Sequence, residues 1–181
     1  YPAILNDEVV GESARRVYSD GRSMLRRVIE GRWLTASAAV AFLPANSIND
    51  DDIEVYTDDS RRDVAFVWRN LRQQQAKRDG VDNKCLADYV APKVIDGRPS
   101  GIADYVGLFA VTAGLGIEKK EKEFEVLLDD YSGIMLKAIA DRLAEAFAEW
   151  LHERVRRDLW GYAPDEALDT DALIAERYRG I

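Results

Sequence analysis

Between about Lys119 and Leu159, apolar residues recur every three or four positions: Leu128, Tyr131, Met135, Ile139, Leu143, Ala146 and Trp150. At about 100° per residue this spacing gathers them on one face of a helix. The Ala, Leu, Glu, Lys and Arg that fill the stretch are strong helix formers, and Gly133 is its expected weak point. Residues 7 to 30 carry a similar stripe through Val10, Ala14, Val17, Met24 or Leu25, and Val28, weakened by Gly11 and Gly21. After the loop Gly161-Tyr162-Ala163-Pro164, a last short helix is expected to start with Asp169 as its N-cap.

The middle of the chain reads differently. Ala38–Leu43 is a continuous apolar run ending at Pro44, Ile53–Tyr56 alternates with period two, and Val64–Trp68 is another strand candidate. Asp58-Asp59-Ser60-Arg61-Arg62 has turn composition, so the last two strands form a hairpin. Tyr105–Thr112 is a further strand, closed by Ala113-Gly114. A helix, then a group of strands, then long helices implies an α+β fold: a twisted antiparallel sheet flanked by long helices. Strands and helices do not alternate, which argues against a doubly wound parallel sheet. The 181 residues are enough for one domain.

Several function classes are excluded or left without support. The net charge of −8 argues against a nucleic-acid partner, which needs a clustered basic surface. It suits a cationic small ligand or a basic patch on another domain, and equally suits solubility alone. No apolar run approaches the roughly 18 residues of a spanning helix, so no membrane association is expected. A lone Cys85 rules out an internal disulfide framework and fits a reducing, cytoplasmic setting. No GxGxxG, Walker, GxSxG or HExxH pattern is present. The single histidine, His152, reads as structural, and Asp50-Asp51-Asp52 reads as a solvated turn lacking calcium-loop spacing. Asp141, Glu145, Glu149, His152 and Arg156 fall on a polar ridge opposite the apolar face of the long helix. That ridge is either a solvent face or a surface that meets a ligand or another domain.

Longer stretches carry more information than these patterns. YPAILNDEVVGESA at 1–14, LRQQQ at 71–75, CLADYVAPK at 85–93 and DYVGLFAVTAGLG at 104–116 resemble the C-terminal activation domain of cobalamin-dependent methionine synthase. So do the stretch from Asp129 to Tyr162 and ERYRGI at 176–181. The blocks keep the family's order and cover nearly the whole chain. The resemblance implies a domain that binds S-adenosylmethionine and presents it to cobalamin for reductive methylation. This would reactivate an enzyme that makes methionine from homocysteine and methyltetrahydrofolate. Cobalamin and zinc would belong to other domains of the parent enzyme. The expected partners are the cobalamin-binding domain of the same polypeptide and flavodoxin or a flavoprotein reductase.

By the same resemblance, Glu145 and Glu176 lie near S-adenosylmethionine, while Asp141 and Arg142 face the cobalamin module. The resemblance assigns no catalytic side chain and no metal ligand to this domain. It also makes residues 1–181 a partial domain, truncated at both ends. An Arg-Pro-Ala-Pro-Gly-Tyr segment that grips the ligand would come after YRGI, and an aspartate would precede Tyr1. The fragment alone is therefore expected to be inactive. The alternative, from a different class, is a non-catalytic docking module for flavodoxin or the cobalamin domain.

Overall fold

The computed structural model describes residues 2–180. Tyr1, which begins the first block of the resemblance, and Ile181, which ends the last, lie outside the described residues. The chain divides into two compact units, one of Tyr1–Ala39 and Ala110–Arg154, the other of Val40–Phe109 and Val155–Ile181.

In the first unit, Asp7 accepts hydrogen bonds from the N–H groups of Val9 and Val10 (2.8 and 2.9 Å). Helix α1 therefore starts later than the sequence pattern suggests, and spans Gly11–Gly31. Two strands, β1 (Thr35–Ile48) and β6 (Asp104–Leu115), each begin in one unit and end in the other. The expected single long helix is two, α2 (Ile117–Val126) and α3 (Asp130–Arg154). The break falls at Leu127–Asp129 instead of Gly133, which sits inside α3. Leu128 is left-handed at φ 53°. The Leu128 and Asp129 N–H groups turn back to Glu125 and Phe124 carbonyls (3.1 and 3.0 Å), closing α2 in a Schellman motif. The Asp129 carboxylate then accepts from Ser132 N–H at 3.0 Å and starts α3.

Met24, Val28, Phe124 and Leu136 form the buried core of this unit, bordered by Trp33, Met135, Ile139 and Leu143. The indole of Trp33 meets the Phe124 ring edge-on at 6.3 Å, with Lys120 Nζ 4.7 Å and the Arg27 guanidinium 5.0 Å from its ring centre. Gly31 is required there, because a Cβ at that position would lie 2.2 Å from Trp33 Nε1. The apolar stripe of the sequence is correct at Met135, Ile139 and Leu143 but not at its ends. Leu128, Tyr131 and Trp150 are exposed. The break at Leu128 takes that residue off the α3 face, and Tyr131 instead donates its hydroxyl to Asp20 on α1 (2.9 Å).

In the second unit, β2 (Asp52–Tyr56) and β3 (Val64–Arg69) form the expected hairpin. The sheet order is β3-β2-β1-β6, a twisted antiparallel sheet as expected. β1 continues through Pro44 because its pairing with β2 begins only at Ala45, so the missing N–H interrupts no β1–β2 pair. Two short strands, β4 (Val94–Ile95) and β5 (Arg98–Pro99), make a separate hairpin. Ala45, Ile53, Val55, Cys85 and Ala87 form the core.

Buried polar groups on β1 fix the long loop beside it. The amide of Asn46 donates to Ala91 and Ile102 carbonyls at 3.0 Å each and accepts from Arg61 at 3.0 Å. The Ser47 hydroxyl donates to Val90 O at 2.9 Å. Arg72 gathers the rest of the loop through Asp51 (2.9 Å), Asp88 (2.7 Å) and the Asn83 carbonyl (2.8 Å). Its hydrogen bonds, with a further one from Cys85 N–H, hold the Asp88 carboxyl down at about 2. The aspartate run is thus partly ion-paired, with Asp52 buried and bonded to Arg69 at 2.7 Å.

After Arg154 a π-helical turn covers Val155–Leu159, and α4 is only Thr170–Ile174. Asp169 caps α4 as expected, accepting from Ala172 N–H at 2.8 Å. Among the described residues no helix is long and apolar enough to cross a membrane.

The left-handed backbone at Leu128 generates a test. A non-glycine residue there is strained by about 1–2 kcal/mol, and the side chain is 89% exposed. Leu128→Gly is expected to raise stability by about 1 kcal/mol in urea denaturation. A loss of stability would show that the leucine side chain contributes more than the strain removes.

Candidate ligand-binding site

Two stretches carry the residues singled out from the sequence. On α3, Asp141, Arg142, Glu145 and Glu149 are exposed or half-exposed and His152 is half-buried. The ridge therefore exists as far as His152. Arg142 donates to Glu145 at 2.5 Å, an i,i+3 pair with both side chains more than half exposed. Such pairs contribute little to stability, so either partner can exchange at small cost. Arg142 also borders a cleft of about 250 Å³ between α1 and α3, together with Tyr18, Gly21, Arg22, Leu25, Ile139 and Leu143.

The ridge ends before Arg156, contrary to the sequence reading. The π-helical turn uses more than 3.6 residues, and the N–H groups of Trp160 and Gly161 both reach the Val155 carbonyl (2.9 and 3.2 Å). Arg156 is only the second residue of that turn and keeps nearly the direction of the ridge; Glu166 and Tyr178 from the segment after the helix cover it, leaving its side chain 1% exposed. Arg156 Nε donates to Glu166 Oε2 at 2.8 Å and its terminal nitrogen to Oε1 at 2.5 Å. Glu166 is itself only 8% exposed. The guanidinium carbon lies 4.4 Å from the centre of the Tyr178 ring. These bonds push the Arg156 pKa further up, so the group is permanently charged.

The same region orders the final residues. Trp160 packs on Phe42 (5.2 Å) and edge-on against Tyr162 (5.5 Å). Burial raises the pKa of the Tyr162 phenol. Gly180, at φ 103°, packs so closely that a Cβ would lie 2.8 Å from the Tyr162 hydroxyl.

Glu176 lies beyond the last helix and not on it, because α4 stops at Ile174. Glu176 and Arg177 N–H groups bond back to Leu173 and Ala172 carbonyls at 3.0 Å each. This is again a Schellman ending, with Glu176 at φ 53° in the position that usually holds glycine. Its side chain is exposed. Glu145 belongs to the first unit and Glu176 to the second.

Residues 1–181 match the family described as "Vitamin B12 dependent methionine synthase, activation domain". The chain belongs to that activation-domain family. A crystal structure of the MetH reactivation domain bound to AdoHcy is similar to it, with a TM-score of 0.86 and 51% sequence identity. The similarity covers 100% of this chain and 54% of that one, so the chain spans about half the length of its solved relative.

Within this activation domain, sequence reasoning missed the Arg156–Glu166–Tyr178 cluster. Arg156 has the spacing of a ridge residue, and the residues that cover it lie further along the chain. The only available warning was the concentration of aromatic residues at Trp160, Tyr162 and Tyr178, which gives a guanidinium something to lie against.

Proposed function

We propose that this domain binds S-adenosylmethionine and presents its methyl group to cobalamin carried by another domain of the same polypeptide. The observation that carries this reading is the 51% identity, over the whole chain, to a reactivation domain crystallised with AdoHcy. The ligand differs from AdoHcy by a methyl group, which makes its sulfur a cationic sulfonium. Its amino acid end adds an ammonium. Carboxylates at Glu145 and Glu176 that reach solvent suit both charges. A cationic ligand can replace Arg142 as the partner of Glu145, since the exposed pair is weak.

Cobalamin, when bound in its own domain, supplies the methyl acceptor. This chain needs only to bind the ligand, orient it and exclude competing contacts. No proton moves to or from a side chain in that role, so no acid, base or nucleophile is assigned. The electron for reactivation comes from flavodoxin or a flavoprotein reductase, in the cytoplasm. Zinc serves another domain, in the parent enzyme's transfer of a methyl group from methyltetrahydrofolate to homocysteine. Asp141 and Arg142, exposed one turn before Glu145, hold the cobalamin module.

In the complete domain, Glu145→Gln and Glu176→Gln are each expected to weaken S-adenosylmethionine about tenfold, the effect of one charge-assisted hydrogen bond, with little change in thermal stability. Glu176→Gly sharpens the test: it relieves the left-handed backbone, as Leu128→Gly does, yet is expected to lose the same affinity. Wild-type affinity by calorimetry in all three variants would leave the docking-module alternative. For the cobalamin-facing residues, Asp141→Arg in the full enzyme is expected to slow reductive reactivation and spare primary turnover. Equal loss of both activities would contradict a docking role.

A further inference from the structure

Helix α4 has five residues, too few to be stable by itself. Residues 175–180 must therefore take their position from tertiary contacts. Glu176 is fixed on its N-terminal side by the Schellman bonds to Ala172 and Leu173. On its C-terminal side, two residues on, the Tyr178 ring lies under the Arg156 guanidinium at 4.4 Å. Two residues further, Gly180 packs against Tyr162. Arg156 cannot move with a displaced Tyr178, because Nε and a terminal nitrogen are both committed to Glu166 and the side chain is 1% exposed. Lysine could reproduce the charge but not the planar fork or the stacking.

We infer that Arg156 is a positioning residue for the Glu176 carboxylate: anchored by Glu166, it holds Tyr178 and thereby sets where the left-handed turn at Glu176 presents its side chain to ligand. This rests on the reading that Glu176 meets S-adenosylmethionine. It adds a component that touches no ligand and that the sequence places on the polar ridge of the long helix.

The test is a double-mutant cycle in the full-length enzyme, with S-adenosylhomocysteine as the calorimetric probe. Arg156→Lys is expected to weaken the probe about tenfold, and adding Glu176→Gln should then change affinity less than about twofold, because the two act as a unit. A purely structural role for Arg156 would leave the Glu176→Gln factor the same in both backgrounds, and that additivity would overturn the inference. If Glu176→Gln has no effect in the wild-type background, the functional reading fails first. Tyr178→Leu guards against a misfolded Arg156 variant, since it keeps the ion pair and removes only the stacked ring. It should show the same coupling with Glu176→Gln. Tyr178→Phe keeps the ring and should remain within about twofold of wild type, because stacking needs no hydroxyl. A Phe variant as weak as the Leu variant, or additivity for Tyr178→Leu, would equally overturn the inference.

Discussion

Arg156 and Glu166 are charges removed from water, 1% and 8% exposed, at the point where the last long helix gives way to the C-terminal segment. Burying an ion costs several kcal/mol, and the loss is offset only when geometry and hydrogen bonding are good. Here two nitrogens of the guanidinium meet both oxygens of the carboxylate, and a tyrosine ring covers its face. The pair is therefore worth keeping only as a whole. Once formed, it fixes the π-helical turn, the loop to Glu166 and Tyr178 in one arrangement. A five-residue helix and the strained residue after it inherit their position from this pair.

The other unit solves a similar problem with apolar contacts. Met24 and Val28 of α1, Phe124 of α2 and Leu136 of α3 close over one another, and Trp33 covers the edge. The helices end in a common way. Arg32, Leu128 and Glu176 each take a left-handed conformation after α1, α2 and α4, where glycine would be unstrained. The strain is thus a recurrent way of turning the chain and does not by itself mark function. What separates Glu176 from Leu128 is chemistry: a carboxylate suits a cationic ligand, and an exposed leucine does not.

Much of this fold was legible in the sequence, and the failures have specific physical causes. The strands, the hairpin of β2 and β3 and the cap at Asp169 came from alternation, turn composition and capping chemistry. Gly133 misled because one glycine costs only about 1 kcal/mol in a helix and tertiary packing overrides it. The actual break depends on a leucine adopting a conformation that no propensity assigns to leucine. Pro44 misled because a proline ends a strand only where its N–H is needed, and the pairs of β1 with β2 begin one residue later. Arg156 keeps the spacing of the ridge yet is buried, because Glu166 and Tyr178 from the following segment cover it, a tertiary contact that periodicity does not register. Periodicity put Glu145 on a polar face without giving it a purpose, and Glu176 had no periodic signal. Their proposed role came from the resemblance of whole blocks, of which RLAEAF and ERYRGI carry the two carboxylates.

On this reading the Glu176 carboxylate, held by the Arg156 cluster, meets the cationic end of the ligand. A crystal structure of the complete domain with S-adenosylhomocysteine tests it most directly. A Glu176 oxygen is expected within about 3.2 Å of the ligand's amino group, a normal hydrogen-bond distance. The Arg156–Glu166 pair and the Tyr178 ring should remain in contact in that structure. A ligand seated with its amino group away from Glu176, and the carboxylate in bulk solvent, would contradict it.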